Sequence, residues 1–276
     1  MDGAVRAAAI EVSGVRKAYG ERPSMTVALD DVSLAVAAGS FVSLIGPSGC
    51  GKSTLLRLAA GLEAPDHGTV RVHDVAPREA AAAKLIGLVP QTPALLPWLS
   101  VLKNVTLPQT VNRGAGKRRA RFGDLGNGGP PADPMDLLRR VGLGDVAHKL
   151  PAELSGGMAQ RAAIVRALGL RPDVLLMDEP FSALDELTRE SLQDQLLDLW
   201  GELKTTVLFV THSIAEAVRM SDVVVVMGSP GRVVDSVPIG LPRPRDPGLL
   251  GDPRFHGYEN QVRNSLRRAW SATDAA

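Results

Sequence analysis

The sequence is poor in cysteine and aromatic residues, and its charges nearly cancel. Its one cysteine, Cys50, cannot form a disulfide within the chain, which favours a reducing, cytosolic setting. The first ten residues lack the basic start and apolar centre of a secretory signal. Lysine plus arginine total 31 against 30 aspartate plus glutamate, so a net charge of +1 gives no general attraction to nucleic acid. We therefore expect any polyanion to be bound locally.

Long hydrophobic runs are missing as well. The densest apolar stretch, DVVVVMG at residues 222–228, is far shorter than the roughly 18 to 20 residues that span a bilayer, so any membrane role would need a spanning partner. The hydrophobic residues, 45% of the chain, fall instead in short blocks. Strand-like blocks such as VLLMDEP and TVLFVTH alternate with helical patterns, which predicts an α/β fold with a parallel sheet covered on both faces.

A glycine-rich stretch, GPSGCGKST, lies between a predicted strand and a predicted helix and has phosphate-loop spacing. Glycines let backbone N–H groups turn inward onto phosphate oxygens, and the helix N-terminus adds a positive dipole end. In this pattern Lys52 bridges the β- and γ-phosphates and Ser53 ligates Mg²⁺. The stretch predicts ATP or GTP binding, the alternative being a structural glycine turn. Its residues are Gly46, Pro47, Ser48, Gly49, Cys50, Gly51, Lys52, Ser53 and Thr54.

Cys50 itself has two interpretations. The helix dipole and Lys52 could lower the pKa of its thiol and make it reactive. The alternative, which we favour, is that the cysteine only fills a position that needs a small side chain.

Two adjacent carboxylates, Asp178 and Glu179, end the apolar block VLLMDEP. Successive strand side chains point to opposite faces, so the two acids can divide the work. Asp178 is predicted to hold Mg²⁺, directly or through water, and Glu179 to act as general base on the attacking water. The alternative is a solvated acidic pair.

LSGGMAQR, residues 154–161, resembles the signature loop of the ATP-binding cassette family, and the order of the motifs from Ile10 to Val237 is similar to that family's. The resemblance implies a P-loop NTPase (RecA-like) core with an antiparallel β subdomain and an inserted α-helical subdomain. It implies an ATPase coupled to transport, with ATP and Mg²⁺ as cofactors.

The same resemblance implies roles for single residues. Tyr19 matches the aromatic that stacks on adenine, Gln91 the glutamine that reaches Mg²⁺ and the attacking water, and His212 the histidine that contacts the γ-phosphate. Residues 182–185, ending at Asp185, match the loop that crosses a dimer interface. The catalytic group is thus predicted to be Glu179, His212, Gln91 and Lys52, with Ser53, Gln91 and Asp178 at the metal.

A homodimer is expected because the signature loop forms a second anion site. Ser155, Gly156 and Gly157 precede a helix, and in the family this turn closes over ATP held by the other subunit. Met158 stands where the commonest form of the motif has glutamine, which puts a secondary sugar contact in doubt but not the dimer.

The predicted domains are a cassette at 1–237 and a C-terminal tail at 238–276, Pro-rich and then a short basic helix. The helical subdomain is expected at about 92–168. Within it, residues 113–134 contain so many glycines, prolines and basic residues that we expect a mobile insertion without a packed element.

The stretch from Gln91 to Val105 is similar to the corresponding segment of the nitrate, sulfonate and taurine importer subunits. This likeness implies uptake of a small anionic solute through a separate integral membrane permease, with a periplasmic or extracellular solute-binding protein acting indirectly. The expected location is the cytoplasmic face of the cell membrane. Leu95, Leu96 and Trp98 would receive the permease, the alternative being that they fill the helical lobe's own core.

Two rival functions remain at this point. One is a soluble cassette ATPase that acts in nucleic-acid or translation work. Only the basic segment Arg113–Arg121 favours it, and the main interpretation expects no nucleic-acid partner. The other is a module that holds nucleotide without turnover, against which the full set of predicted catalytic residues argues.

Overall fold

The computed structural model describes residues 7–21, 24–123, 132–245 and 247–271. The chain divides into two compact units. The first unit contains Met1–Glu79 and Thr206–Ala276, and the second contains Ala80–Thr205.

The elements occur in an alternating order along the chain. The strands are β1 (Ala8–Tyr19), β2 (Thr26–Ala37), β3 (Phe41–Ile45), β4 (His67–Val72), β5 (Ile86–Val89), β6 (Val174–Asp178), β7 (Thr206–Val210), β8 (Val223–Gly228) and β9 (Arg232–Pro238). The helices are α1 (Lys52–Ala59), α2 (Pro77–Ala82), α3 (Val101–Thr110), α4 (Ala115–Arg119), α5 (Pro134–Arg140), α6 (Gly156–Leu168), α7 (Glu186–Leu203), α8 (Ile214–Met220) and α9 (Pro253–Ser271).

The first unit contains an antiparallel sheet in the order β2-β1-β4. Along β1 the buried residues Ile10, Val12 and Val15 alternate with more exposed neighbours, as expected for a sheet with one covered face. This sheet is the antiparallel β subdomain that the resemblance implies.

A second sheet in the same unit carries the phosphate loop. Strand β3 lies between β7 and β8 and is parallel to both, while β9 is antiparallel to β8. Every residue of β3 and β7 is buried, which matches their continuous apolar sequence and confirms the predicted parallel arrangement. Parallel strands place their carboxyl ends at one edge, so the segments after β3 and β7 emerge side by side.

The C-terminal tail is part of the first unit's core. The predicted basic helix exists as α9, but it buries Phe255, Val262 and Leu266 in a cluster with β8, β9 and α8. The buried Arg245 donates to the carbonyls of Val218, Arg219 and Ser221 at the end of α8. Burial lowers the pKa of Arg245 to about 10. The tail is therefore packed as well as helical, which its basic sequence did not indicate.

The second unit pairs β5 with β6 in parallel and surrounds them with helices. Helix α3 packs on α6, and α5 contacts both. Buried side chains of α5 and α6 form much of the core, among them Leu137, Leu138, Ala163 and Ile164. These helices correspond to the predicted helical subdomain. No helix among the described residues combines the length and apolar character needed to cross a bilayer.

The segment 113–134 differs from the expectation of no packed element. Residues 115–119 form α4, and Ala120–Phe122 continue as a 3-10 turn. The reason is Arg119, whose guanidinium donates to the carbonyls of Lys84 and Arg171 and to the Asp173 carboxylate at 3.0 Å. Residues 124–131 lie outside the described part, and the mobility of the insertion stays a prediction.

Candidate nucleotide site

The phosphate loop connects β3 to α1 in the first unit. Gly51, in the left-handed conformation at φ +91°, ends the loop, and among the described residues no side chain caps the N-terminus of α1. The buried Lys52 ammonium donates to the carbonyls of Gly46 at 2.9 Å and Pro47 at 2.8 Å. The loop is thus wrapped around a positive charge beside uncapped N–H groups, a combination that fits the phosphates of ATP.

Two glycines of the loop are required by close packing. A Cβ at Gly51 would lie 2.3 Å from the Ala28 carbonyl oxygen, and one at Gly46 would lie 2.4 Å from that of Met227. Strands β2 and β8 therefore press directly on the loop backbone. These contacts leave no room for a side chain at Gly46 or Gly51, and together with the Lys52 hydrogen bonds they hold the loop's shape.

Cys50 is fully buried within the loop. Burial raises the pKa of its thiol, although the nearby Lys52 acts in the opposite direction. The burial of Cys50 and the raised pKa of its thiol argue against an activated thiol. The small-residue interpretation agrees with its burial.

Tyr19 lies at the end of β1 with 38% of its surface exposed. Its hydroxyl donates to the Glu63 carboxylate, and the Lys17 ammonium lies 5.6 Å from the ring centroid. The pKa of Tyr19 is raised, first by burial and then by the hydrogen bond with Glu63, while a hydrogen bond with Thr54 of the phosphate loop lowers it. The ring is thus fixed next to the loop and open to solvent. Sequence reasoning missed Glu63 and Lys17, for which no local motif exists.

His212 follows β7 and is exposed. Because β7 pairs directly with β3, the histidine emerges next to the strand that feeds the phosphate loop. The Ser213 hydroxyl caps α8 by accepting from the Glu216 N–H. Thr211 adds a second layer, since its hydroxyl donates to the buried Glu216 carboxylate and accepts from the Ser213 N–H. The backbone on either side of His212 is therefore held.

The second unit holds the two predicted acids and the glutamine. Asp178 ends β6, and Glu179 follows it in a left-handed conformation at φ +43°. A non-glycine residue in that region is strained, and such strain concentrates at functional sites. Gln91, two residues beyond β5, donates from Nε2 to the Glu179 carboxylate at 3.2 Å. The structure thus brings Gln91 and Glu179 together, although 88 residues separate them.

The signature turn and the following loop also lie in the second unit. Ser155 is the N-cap of α6, and its hydroxyl accepts from the Met158 N–H at 3.3 Å. A Cβ at Gly156 would meet open space, so this turn faces no packed neighbour there. Asp185 caps α7 by accepting from the Thr188 N–H, and this bond lowers the pKa of Asp185. Gly157 lies against Thr188 and Leu184.

The segment between Gln91 and α3 is held by two buried contacts. The Asn104 side chain is fully buried and bonds to the backbone of Leu96, Leu99 and Ser100. Arg166 of α6 donates to the carbonyls of Pro93 and Ala94. These contacts leave Trp98 with 70% of its surface exposed. The alternative, that these residues fill the lobe's own core, is therefore not met at Trp98.

A phosphate loop opening α1 and paired acids ending β6 define the class of P-loop ATPases, and the comparisons narrow that class. The family described as ABC transporter matches residues 29–182 of the chain. The chain therefore belongs to the ABC transporter family, and its enzymatic class is ATPase.

Similar proteins cover most of the chain. An ATP-binding protein of Brucella abortus biovar 1 is 42% identical over 249 residues, which are 90% of this chain and 91% of the relative. The aliphatic sulfonates import ATP-binding protein SsuB 1 of Xanthomonas axonopodis pv. citri is 46% identical over 230 residues, which are 82% and 86% of the two chains. A solved dimeric post-hydrolysis state of the ATP-binding cassette MJ0796, bound to ADP and Pi, has a TM-score of 0.70 at 33% identity, covering 83% of this chain and 98% of that one.

Proposed function

We propose that this chain is the ATP-hydrolysing subunit of an importer that takes up a small anionic solute of the sulfonate type. The observation that carries the proposal is the contact between Gln91 and Glu179 at the ends of β5 and β6, in a chain 46% identical to a sulfonate import ATP-binding protein. The proposal includes taurine, which is itself a sulfonate, and nitrate only as another small anion.

In this proposal each loop has one task. The N–H groups of residues 46–54 and the Lys52 ammonium bind the β- and γ-phosphates, and Tyr19 stacks on the adenine. Mg²⁺, when bound, screens the phosphate charge, and its proposed protein ligands are the Ser53 hydroxyl, Gln91 and Asp178. Oxygen donors of this kind are those that Mg²⁺ prefers.

Glu179 accepts the proton of the attacking water, which Gln91 orients through the hydrogen bond that already joins the two side chains. His212 contacts the γ-phosphate and stabilises the charge that develops there. The held backbone around His212 supports this role, because Thr211 and Glu216 limit where the imidazole can reach.

The functional form is a homodimer in which Ser155, Gly156 and Gly157 of one subunit close over the nucleotide of the other. Support comes from the open surface at Gly156 and from the dimeric cassette with 33% identity. Asp185, as the cap of α7, fixes the start of the helix next to the crossing loop.

The exposed Trp98 and the half-buried Leu95 and Leu96 form the proposed permease-binding surface. Arg166 of α6 donates to the carbonyls of Pro93 and Ala94 next to this surface. Movement of α6 and movement of this segment are therefore linked. The proposed location is the cytoplasmic face of the membrane, with a solute-binding protein on the other side. A soluble role in nucleic-acid or translation work is not favoured by these relatives.

Glu179→Gln tests the catalytic part. We expect ATP hydrolysis to fall by roughly 10²- to 10⁴-fold, the usual contribution of a general base, while ATP binding persists and drives dimerisation. Steady-state ATPase rates and size-exclusion chromatography with MgATP measure both effects. The control is Glu190→Gln, an exposed residue of α7 that should leave both unchanged. Wild-type hydrolysis in Glu179→Gln contradicts the base assignment.

Trp98→Ala tests the transport part. Affinity purification of the wild-type chain from its native membranes should recover an integral membrane protein, and Trp98→Ala should lose it. Trp270→Ala is the matched control, because Trp270 is also exposed, at 53%, but lies on α9 of the first unit. Equal recovery with both variants removes Trp98 from the interface, and wild-type chain recovered alone contradicts transport.

A further inference from the structure

The second unit contains a cavity of about 250 Å³ that the proposed function does not use. It lies between the end of α2, the end of α3 and α4. Its polar lining consists of Lys84, Gln109, Asn112, Arg113 and Arg119. The lining therefore combines three cationic side chains with two carboxamides.

The three cationic side chains that line this cavity have no acidic residue beside them in its described lining. One carboxylate reaches the lining from outside, because Asp173 pairs with Arg119, but the Asp173 side chain is only 1% exposed and its second oxygen has no partner among the described residues. Arg113 is exposed and makes no ion pair with any described residue. The described residues of the cavity wall thus keep a net positive charge.

Lys84 adds a directed donor. Its ammonium donates to the Val111 carbonyl at 2.6 Å, which uses one of its three N–H groups and fixes its position on the wall. Burial lowers the pKa of Lys84, so its charge is short of hydration. An anion in the cavity would supply the missing partner.

The cavity lies next to the starts of β5 and β6 and the end of α6, the elements that carry the second unit's site residues. Lys84 precedes β5, Asp173 precedes β6 and is paired with Arg119, and Leu170 of the cavity wall follows α6. At their other ends the same elements carry Gln91, Glu179 and Ser155.

We propose that this cavity is a second anion site, for a small tetrahedral oxyanion such as a sulfate, sulfonate or phosphate group. Arginine and lysine side chains with carboxamides are the donors that recognise such groups. The volume falls below the ~300 Å³ at which sites for drug-sized ligands begin, so only a small anion or a single headgroup fits. The proposal is independent of the transported solute and of the dimer.

Equilibrium dialysis of the full chain with radiolabelled inorganic sulfate tests the site. A saturating, non-hydrolysable Mg-nucleotide is present so that the phosphate loop is filled. We expect wild-type chain to bind sulfate and Arg113→Gln to bind at least 10-fold more weakly, the loss of about one charge-assisted contact. Arg121→Gln removes the same charge from an exposed residue outside the lining and should change affinity less than 2-fold, a limit set by screened surface charge.

A second measurement separates a free anion from a lipid headgroup. Flotation with phosphatidylglycerol vesicles should capture the wild-type chain but not Arg113→Gln if the oxyanion belongs to a lipid, and neither if it is free. Lys84→Met provides a second lining variant, and circular dichroism verifies its fold. Sulfate should also slow amide exchange at residues 84–86 and 171–174 in the wild-type chain. Identical behaviour of Arg113→Gln and Arg121→Gln in both binding assays overturns the proposal, as does protection confined to residues 46–54.

Discussion

Helices α1 and α6 each begin at a small-residue turn, and the two turns are built differently. Helix α1 begins after Gly51, whose missing Cβ is required by the Ala28 carbonyl 2.3 Å away. Helix α6 begins after Ser155, whose hydroxyl caps the helix, and the next residue, Gly156, faces open space. One turn is shaped by its own unit's packing and the other is left free on one side.

The difference teaches what each glycine is for. At Gly51 the absent side chain serves the fold, because strand β2 occupies the space. At Gly156 nothing in the described structure occupies that space, which fits the proposed contact with a partner's nucleotide. The same sequence feature, a small-residue turn before a helix, is therefore required for packing at Gly51 and is proposed to serve binding at Gly156.

The largest expected effect comes from Gly51→Ala. A Cβ there combines a left-handed backbone with a carbonyl clash, so we expect a loss of about 4 kcal/mol in the free energy of unfolding. Gly156→Ala should stay within about 1 kcal/mol of wild type, yet weaken ATP-driven dimerisation. Urea titration and sizing with MgATP measure the pair. Equal destabilisation by both substitutions would break the comparison.

Asp173 provides a pH test specific to the second unit. Burial raises the pKa of Asp173 to about 6, although Arg119 lowers it. A carboxyl whose folded pKa lies above its unfolded value stabilises the fold at low pH and loses that contribution as pH rises from about 4 through 6. Relative to Asp173→Asn, wild-type stability should therefore fall by up to about 3 kcal/mol between pH 4 and 7.5.

Amide hydrogen exchange locates this pH effect. The change should appear in β6 and α4, because Asp173 directly precedes β6 and its ion-pair partner Arg119 lies in α4. A difference between wild type and Asp173→Asn that stays constant with pH contradicts the raised pKa.

Ser155→Ala should cost about 1 kcal/mol in the second unit, since it removes the cap on the Met158 N–H. Ser155→Thr keeps a hydroxyl and should restore most of this stability. The ATPase rate distinguishes capping from partner binding: if Ser155 also contacts nucleotide across the dimer, Ser155→Ala loses cooperativity in ATP concentration. Unchanged stability in Ser155→Ala means that the cap is not formed.

The smallest effect is expected at Cys50. Because its thiol is buried and its pKa raised, alkylation of the native chain at pH 7.5 should be slow and should follow local opening of the loop. Mass spectrometry after timed exposure to iodoacetamide measures this. Cys50→Ser should retain ATP affinity, and rapid labelling of native wild type contradicts a closed loop.

Much of the site was readable from the sequence because its chemistry lies in short segments. The phosphate loop and the acids 178 and 179 are defined by neighbouring residues, so residue type and local spacing were enough to predict them. The strand pattern predicted the parallel sheet for a similar reason, since buried strands must be continuously apolar.

The failures concern contacts between distant segments. The insertion was expected to lack a packed element, yet Arg119 fixes α4 through Asp173, 54 residues away. The tail was expected to be Pro-rich and then a short basic helix, yet α9 packs into the first unit's core. Arg119 and α9 each contact residues that are distant in sequence, and only the folded chain brings those residues together.

By itself the sequence determined which groups can hold phosphate and which can accept a proton, because residue type and local spacing fix that chemistry. Only the tertiary structure decided that Glu63 orients Tyr19, that Arg166 holds the segment before Trp98, and that cations gather at Lys84. Each of these is a contact between residues that are far apart in sequence, and tertiary packing rather than local sequence pattern determines such contacts.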